Sequence, residues 1–418
     1  MTQTPIKILH TADCHLDSPL LSLALRDAAL RDRVQAATRA GFTRIVDVAL
    51  DEAVAALLIA GDLFDGAERS ARTAAFLTAQ LDRLHAAGIA VFYIKGNHDA
   101  ENPITGEVSL PDNVHVFDGR GGKVQLGGHD IWIHGVSFSG RHAPESLLGK
   151  FGAPVDGAVN IAMLHTSLAG AAGHDPYAPC SVTELAGMGF DYWALGHVHK
   201  RQVHAHRPWI VMPGMPQGRD IGEAGTKSAT LLRIDGAAIG IEEIPTSAIE
   251  FLDLAVDATG MDDDAALRAR LREDLRGVSR DLPSQAAIVR LTVTGPTARR
   301  WQYLRDRDMW RETADALAAD TGRIWVEKLD FDLRDPAGHD DGNAAASTDE
   351  LAHLMQAIRR EPAFTAELQA ELDTLLAELP PQRRAKLIPD EAAATALGQA
   401  LASSGAARLL ALMKAAAG

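Results

Sequence analysis

The sequence predicts an α/β (α+β) protein: a β-sandwich of two mixed sheets flanked by helices, a small βαβαβ domain, and a helical C-terminal segment. Three observations predict it. Over the first hundred residues, short apolar runs alternate with Ala- and Arg-rich stretches of helical spacing, as in parallel strands joined by helices. After residue 100 the runs shorten and Gly-rich turns separate them, as in antiparallel or edge strands. Near residue 246 the pattern starts afresh, and from residue 351 the chain is rich in Ala and Leu.

Taken in order, residues 6–13 form a first strand that leads to Asp13 and His15. Residues 28–56 read as helix, 57–64 as a second strand, 70–87 as helix, and 88–94 as a third strand running into Gly96-Asn97-His98-Asp99. Strands 114–117, 123–126 and 131–134 follow, then the buried runs 160–165 and 192–195, each leading to histidine, and finally 210–213 and 229–234. The small domain reads as strand 251–256, helix 262–281 with an acidic start, strand 287–293, helix 299–319 and strand 323–333. The domains are then 1–245, 246–335, a linker by composition at 336–350, and the helical segment 351–418, broken by Pro380, Pro381 and Pro389.

At 418 residues the chain exceeds one compact core, so two or three domains are expected. Its apolar fraction of 46% and charged fraction of 23% are those of a water-soluble globular protein. No apolar run approaches the roughly 20 residues that span a bilayer, and the first residues lack a signal-peptide pattern, so a cytoplasmic protein with no membrane is expected. Two cysteines, Cys14 and Cys180, make neither a disulfide framework nor a zinc knuckle, and Cys14 reads as packing. The net charge of −15 runs against nucleic-acid binding, although carboxylates that hold cations are neutralised by them.

Five separated segments bring oxygen and imidazole donors to strand ends. They are Asp13-x-His15, Gly61-Asp62-x-x-Asp65, Gly96-Asn97-His98-Asp99, His165, and Gly196-His197-x-His199. This donor mix suits Mn²⁺, Fe²⁺ or Zn²⁺ and disfavours a structural zinc site, which would draw on thiolates. Asp62 is read as the carboxylate between two ions, and Asp65 as a turn cap. Glycines ahead of Asp62, Asn97 and His197 allow sharp turns and close backbone approach. The pairs Asp13/His15 and His197/His199 face one side if the backbone is extended.

Further matching stretches are Ala12-Asp13-Cys14-His15-Leu16-Asp17, Leu164-His165-Thr166-Ser167-Leu168, Tyr177-Ala178-Pro179-Cys180, Asp191 to Lys200, and Pro213-Gly214 with Gln217-Gly218-Arg219. On these motifs the sequence resembles the calcineurin-like metallophosphoesterase superfamily, and within it the SbcD-like DNA repair exonuclease family, in its YhaO-like branch. The motif match covers roughly residues 6–235; beyond 245 the resemblance is one of layout. It implies a four-layer metallophosphoesterase sandwich with two divalent metal ions, usually Mn²⁺, with Fe²⁺, Mg²⁺ or Zn²⁺ as alternatives. One ion would be held by Asp13, His15, Asp62 and His199, the other by Asp62, Asn97, His165 and His197. His98 resembles the catalytic histidine that faces the phosphate, where an imidazolium stabilises the transition state or protonates the leaving oxygen. Asp99 fits either of two roles, orienting His98 or capping the turn.

The resemblance further implies a DNA nuclease with 3′→5′ exonuclease and single-strand endonuclease activity, in which 246–335 is a cap that positions DNA. It also implies a homodimer and a C-terminal helical segment docking an SbcC-like coiled-coil ATPase. Arg219 and His174 are candidate substrate contacts. The leucine stripes at Leu372, Leu375, Leu376 and Leu379, and at Leu397, Leu401, Leu409, Leu410 and Met413, fit internal packing or that docking equally. The run Arg299, Arg300, Arg305, Arg307, Arg311 interleaves with Asp306, Asp308 and Glu312, which favours a solvated ion-paired face over a DNA contact. His10, His85, His115, His129 and His134 read as structural or exposed. Two other functions remain: a phosphodiesterase for a nucleotide or cyclic nucleotide, which the net charge favours, and a structural subunit docking an ATPase, which the intact ligand set disfavours.

Overall fold

The apolar runs of the first half form twelve strands in two six-stranded sheets. In chain order they are β1 (Ile6–Thr11), β2 (Ala56–Ala60), β3 (Ala90–Ile94), β4 (Val114–Val116), β5 (Gly122–Gln125), β6 (Ile131–Val136), β7 (Val159–His165), β8 (Tyr192–Gly196), β9 (Gln202–His206), β10 (Trp209–Met212), β11 (Ser228–Asp235) and β12 (Ala238–Pro245). This is a computed structural model. It describes residues 4–18, 28–65, 70–100, 110–168, 177–336, 343–381, 384, 388 and 390–416. The chain divides into two units, Met1–Asp253 with Asp281–Val289, and Leu254–Arg280 with Arg290–Gly418.

In the first unit the sheets run β12-β11-β1-β2-β3-β4 and β5-β6-β7-β8-β10-β9. Strands β1 to β4 are mutually parallel, so β1, β2 and β3 end on the same edge. In the second sheet β6, β7, β8 and β10 are parallel, with His165 opposite Gly196 at the ends of β7 and β8. The stretch expected to hold antiparallel or edge strands is therefore mixed. β4 is a parallel edge strand, and only β5 pairs antiparallel, with β6.

Side-chain alternation builds the layers. Leu9, Leu57, Ile59, Val91 and Tyr93 point to one side of the first sheet, against Phe42, Ile45, Val46 and Ala49 of helix α1 (Ala28–Asp51) and Leu77, Leu81 and Leu84 of α2 (Ala71–Ala86). Their strand neighbours Ile8, Leu58, Phe92 and Ile94 point the other way, against Ile133, Ile161, Met163, Tyr192 and Ala194 of the second sheet. The far face of that sheet packs Ala162, Leu164, Trp193 and Leu195 beside Leu185 of the short helix α3 (Val182–Gly187). Each of the larger buried side chains contributes roughly 1.5–3 kcal/mol of burial. β2 is buried on both faces, which explains its unbroken apolar sequence. Helix α2 starts where the Ser70 hydroxyl accepts the Thr73 amide at 3.2 Å. Cys14 packs into the first core beside Leu9 and Leu16. His10 is buried as well, its ring nitrogens 3.0 Å from the Tyr192 hydroxyl and 3.1 Å from Leu195 O.

The second unit carries most of a three-stranded sheet in the order β13 (Ile249–Asp257), β14 (Ala286–Pro296), β15 (Ile324–Arg334). Helix α4 (Asp264–Asp281) buries Leu267, Leu271 and Leu275, one face at i, i+4, i+8. The stretch expected as a single helix from 299 is two, α5 (Arg300–Arg305) and α6 (Arg307–Ala319), with Tyr303 and Trp310 edge-to-face at 5.4 Å. The arginine run is largely ion-paired. Arg299 meets Asp264 at 2.8 Å, Arg300 meets Asp335 at 2.7 Å, Arg305 meets Asp306 at 2.6 Å, and Arg311 meets Asp315 at 2.9 Å. Among the described residues, helices α7 (Asn343–Ile358), α8 (Pro362–Ala377) and α9 (Glu391–Ala416) follow. The first takes up residues 343–350 of the stretch expected as a linker. Leu372 and Leu410 are buried, whereas Leu375, Leu401, Leu409, Leu412 and Met413 are exposed. No helix among the described residues is long and apolar enough to cross a membrane.

Candidate metal centre

The ends of β1, β2 and β3 in one sheet and of β7 and β8 in the other carry the polar segments singled out in the sequence. β1 stops at Thr11, so Asp13 and His15 lie in a loop beyond the strand. Both have left-handed backbone, with φ of 53° and 41°, as do Asp62 at 51° and His197 at 104°. The expectation that extended backbone turns Asp13 and His15 to one side is therefore corrected; a looped, strained chain turns them together. Left-handed geometry at a non-glycine residue costs of order 1–3 kcal/mol and is retained where the surroundings over-determine it. Here the β1 and β2 loops clasp each other. The Asp13 amide donates to Gly61 O at 3.0 Å, the His15 amide to Asp62 O at 3.1 Å, and the Leu16 amide to Leu63 O at 3.0 Å. Asp17 anchors the far end of the loop through Arg39 of α1 and Thr73 of α2.

Two glycines permit this closeness. Gly61 has φ of 94°, and a Cβ on it would lie 2.3 Å from His165 Nδ1. A Cβ on Gly196 would lie 2.0 Å from Ala60 O, which is backbone of the opposite sheet and cannot step aside.

Asp13, His15 and His199 form one group, Asp62, His165 and His197 a second, and His15, Asp62 and His98 a third; within each, one donor atom per residue lies within 4.8 Å of the others. Asp62 is common to two of them. Its Oδ2 is 3.3 Å from His165 Nε2 and 3.9 Å from His15 Nε2, while Oδ1 accepts the His98 amide at 2.9 Å. Asn97 joins through Oδ1, 3.1 Å from His165 Nε2. Asp13 accepts the His197 amide at 3.0 Å.

The imidazoles are oriented from behind. His165 Nδ1 donates to Ala60 O at 2.9 Å, His199 Nδ1 donates to Glu223 at 2.7 Å, and His15 Nδ1 faces Asp65 at 3.3 Å. In each case Nε2 is the nitrogen turned to the centre, the arrangement that metal-binding histidines use. His15 Nε2 and His199 Nε2 face each other at 3.2 Å. Converging imidazole nitrogens among buried carboxylates and an amide oxygen fit divalent Mn, Fe or Zn, and the described cluster offers no thiolate.

The electrostatics of the metal-free protein fit the same reading. Burial lifts Asp13 to about 6. Burial also works to raise Asp62, but the His165 and His15 imidazoles outweigh it and hold that carboxyl well below the usual range. Burial works to lower His165, but Asp62 and Asp13 raise it to about 9. Burial takes His15 down to about 4, against the pull of Asp65 and Asp62.

His98 stands at the mouth of the site, one third exposed, its ring edge-on to His15 at 4.9 Å and its Nδ1 3.8 Å from Asp65. Asp99 does not reach the cleft. It is fully buried, and its carboxylate accepts the Phe64 and Gly96 amides, each at 3.0 Å. It braces the turn that presents Asn97 and His98. Arg219 lies beside the site, but Glu223 holds its guanidinium at 2.9 Å. His174 lies outside the described residues.

Two carboxylates escaped the sequence reading. Asp65, taken as a turn cap, backs His15 instead, and His15 outweighs burial to bring its carboxyl down to about 2. Glu223 ends a short 3₁₀ turn, Ile221–Glu223, in the connection between β10 and β11; the one available signal was its i+4 spacing from Arg219. The cleft over the centre, about 860 Å³, is also lined by Tyr177, Lys200, Lys227 and Asp253, none of which the sequence reading assigned a role.

The calcineurin-like phosphoesterase model matches residues 6–201, and that of the metallophosphoesterase YhaO middle domain matches residues 251–334. The uncharacterised metallophosphoesterase YhaO of Bacillus subtilis (strain 168) is 32% identical over 86% of this chain and 92% of its own. The DNA double-strand break repair proteins Mre11 of Methanopyrus kandleri and Methanocaldococcus jannaschii are 24% and 28% identical over 51% and 46% of this chain. The chain spans about half the length of these archaeal relatives, 49% and 51%.

Proposed function

The chain belongs to the calcineurin-like phosphoesterase family, in the branch of the YhaO metallophosphoesterase, and from that premise we propose that it is a two-metal DNA nuclease. The family makes it a metal-dependent hydrolase of phosphate esters. The observation that carries the proposal is the convergence of Asp13, His15, Asp62, Asn97, His165, His197 and His199 from five strand ends into one buried cluster, with His98 at its mouth.

In this reading Asp13, His15, Asp62 and His199 hold one ion and Asp62, Asn97, His165 and His197 the other, with Mn²⁺ as the proposed metal. Bound there, the pair supplies Lewis acidity and an activated water for in-line displacement at phosphorus. The protein does the rest. Asp62 would be shared between the two ions. Ala60 O, Glu223 and Asp65 fix which nitrogen of each histidine faces inward. His98 meets the substrate phosphate and passes a proton to the leaving oxygen, and Asp99 keeps its turn in place.

DNA is the proposed substrate, cut by 3′→5′ exonuclease and single-strand endonuclease action. The Mre11 relatives support this, being named as DNA double-strand break repair proteins. Residues 1–245 would be the nuclease domain, 246–335 the part that positions DNA, and the helical segment 351–418 the docking site of an SbcC-like coiled-coil ATPase. Exposed Leu375, Leu401 and Leu409 support that docking. A homodimer in the cytoplasm completes the proposal. One observation favours a second reading, a small nucleotide diester as substrate: the net charge of −15.

The test is hydrolysis of labelled single- and double-stranded DNA beside bis-p-nitrophenyl phosphate in Mn²⁺, with and without a coiled-coil ATPase partner. A His98→Ala control should keep its metal and lose activity by about 10²–10⁴-fold. Cleavage of the small ester without DNA under both conditions would refute the nuclease reading.

A further inference from the structure

The cations around the cleft differ in how they are engaged. The Arg219 guanidinium is held by Glu223. Lys200 and Lys227 line the same cleft as Asp62, His98, His197 and His199. The Lys227 ammonium donates to Ala224 O at 3.0 Å, and among the described residues neither lysine has an ion-pair partner. Of the nearby carboxylates, Glu223 is engaged by His199 and Arg219 and Glu250 Oε2 by the Thr226 hydroxyl at 3.1 Å, while Glu250 Oε1 has no hydrogen-bond partner and Asp253 lines the same cleft. Burial lowers Lys227, the Glu223 and Glu250 charges work against that, and the Lys200 charge adds a smaller push in the same direction as burial. Like charges lining one cleft repel, and an anion between them relieves that repulsion.

We propose that Lys200 and Lys227 form a second anion subsite that takes a non-scissile phosphate of the substrate. The cleft is then built for a chain bearing at least two phosphates, one over the metal centre and one on the lysines. This rests on the phosphodiesterase reading above.

The experiment compares four substrates with the full chain in Mn²⁺: bis-p-nitrophenyl phosphate, the thymidine dinucleotide TpT, and its 5′- and 3′-phosphorylated forms pTpT and TpTp. One phosphorylated dinucleotide should exceed TpT in kcat/KM by about tenfold or more, with the gain in KM, as for one charge-assisted contact. Lys200→Gln and Lys227→Gln should each shrink that ratio to about two or below, and Lys227→Arg should retain it. Circular dichroism and Mn²⁺ stoichiometry report whether each variant is folded and loaded. A wild-type ratio near one overturns the subsite, and so does a ratio that survives in the double Gln variant. Cleavage of the small ester with no dinucleotide also overturns it. If no substrate is cleaved, the small ester included, the phosphodiesterase reading falls and the subsite with it.

Discussion

Replacing Glu223 with glutamine keeps the shape of the side chain and removes its charge. One carboxylate oxygen accepts His199 Nδ1 at 2.7 Å, and the other accepts the Arg219 amide at 2.8 Å. Glutamine cannot serve both. If its NH₂ faces His199, Nδ1 must become the acceptor and the proton moves to Nε2, the nitrogen wanted for the metal. If its oxygen faces His199, its NH₂ meets the Arg219 donors. Losing such a carboxylate behind a histidine ligand costs about 10–100-fold in metal affinity, or about 1.4–2.7 kcal/mol. The loss should fall mainly on the ion held by Asp13, His15 and His199, because Asp62, His165 and His197 keep their supports. Calorimetric titration of the metal-free protein with Mn²⁺ resolves this as one weakened and one nearly unchanged binding event. Two unchanged events, or equal weakening of both, would refute the reasoning.

Metal uptake should be proton-linked. Asp62 and Asp13 hold His165 at about 9 in the metal-free protein, so at pH 7.5 it is charged and must release its proton to ligate. Mn²⁺ affinity therefore rises with pH up to about 9 and falls by about tenfold per unit below it, read by titration across pH 6.5–9 or by proton release in weak buffer. A pH-independent affinity contradicts the assignment of His165. Gly196→Ala drives a methyl against Ala60 O and should lower the melting temperature and abolish loading of both ions; a fully loaded variant would show that the sheets are free to part there. Asp65→Asn should weaken the same ion as Glu223→Gln, and the double variant should fall short of the summed loss, because the two carboxylates support opposite ligands of one site. Additive losses would place them on different ions.

The residues proposed to carry the chemistry were legible because each follows an apolar strand, with a glycine before it at Asp62, Asn97 and His197. A parallel sheet presents its strand ends on one edge, so order along the chain becomes proximity in space. Strand pairing was legible where both faces are buried, as in β2, and not in β9 or β12. Their sequences, Gln202–His206 and Ala238–Pro245, lie at sheet edges with one face in solvent and show no apolar run. The backing of the ligands was not legible either. Glu223 meets His199 across 24 residues that include β9 and β10, and Asp65 meets His15 only because the two loops clasp. Asp99 had two readings from its place beside His98; its buried carboxylate takes the turn-bracing one. The left-handed backbone at Asp13, His15 and Asp62 has no sequence signal, since tertiary contacts impose it.

The central claim is that Asp62 joins two divalent ions in one cluster. Crystals grown with Mn²⁺ and measured at the manganese absorption edge test it directly. The account predicts two anomalous peaks, one among Asp13, His15 and His199, one among Asn97, His165 and His197, with an Asp62 oxygen on each. A single peak, or two peaks that Asp62 does not touch, would contradict it.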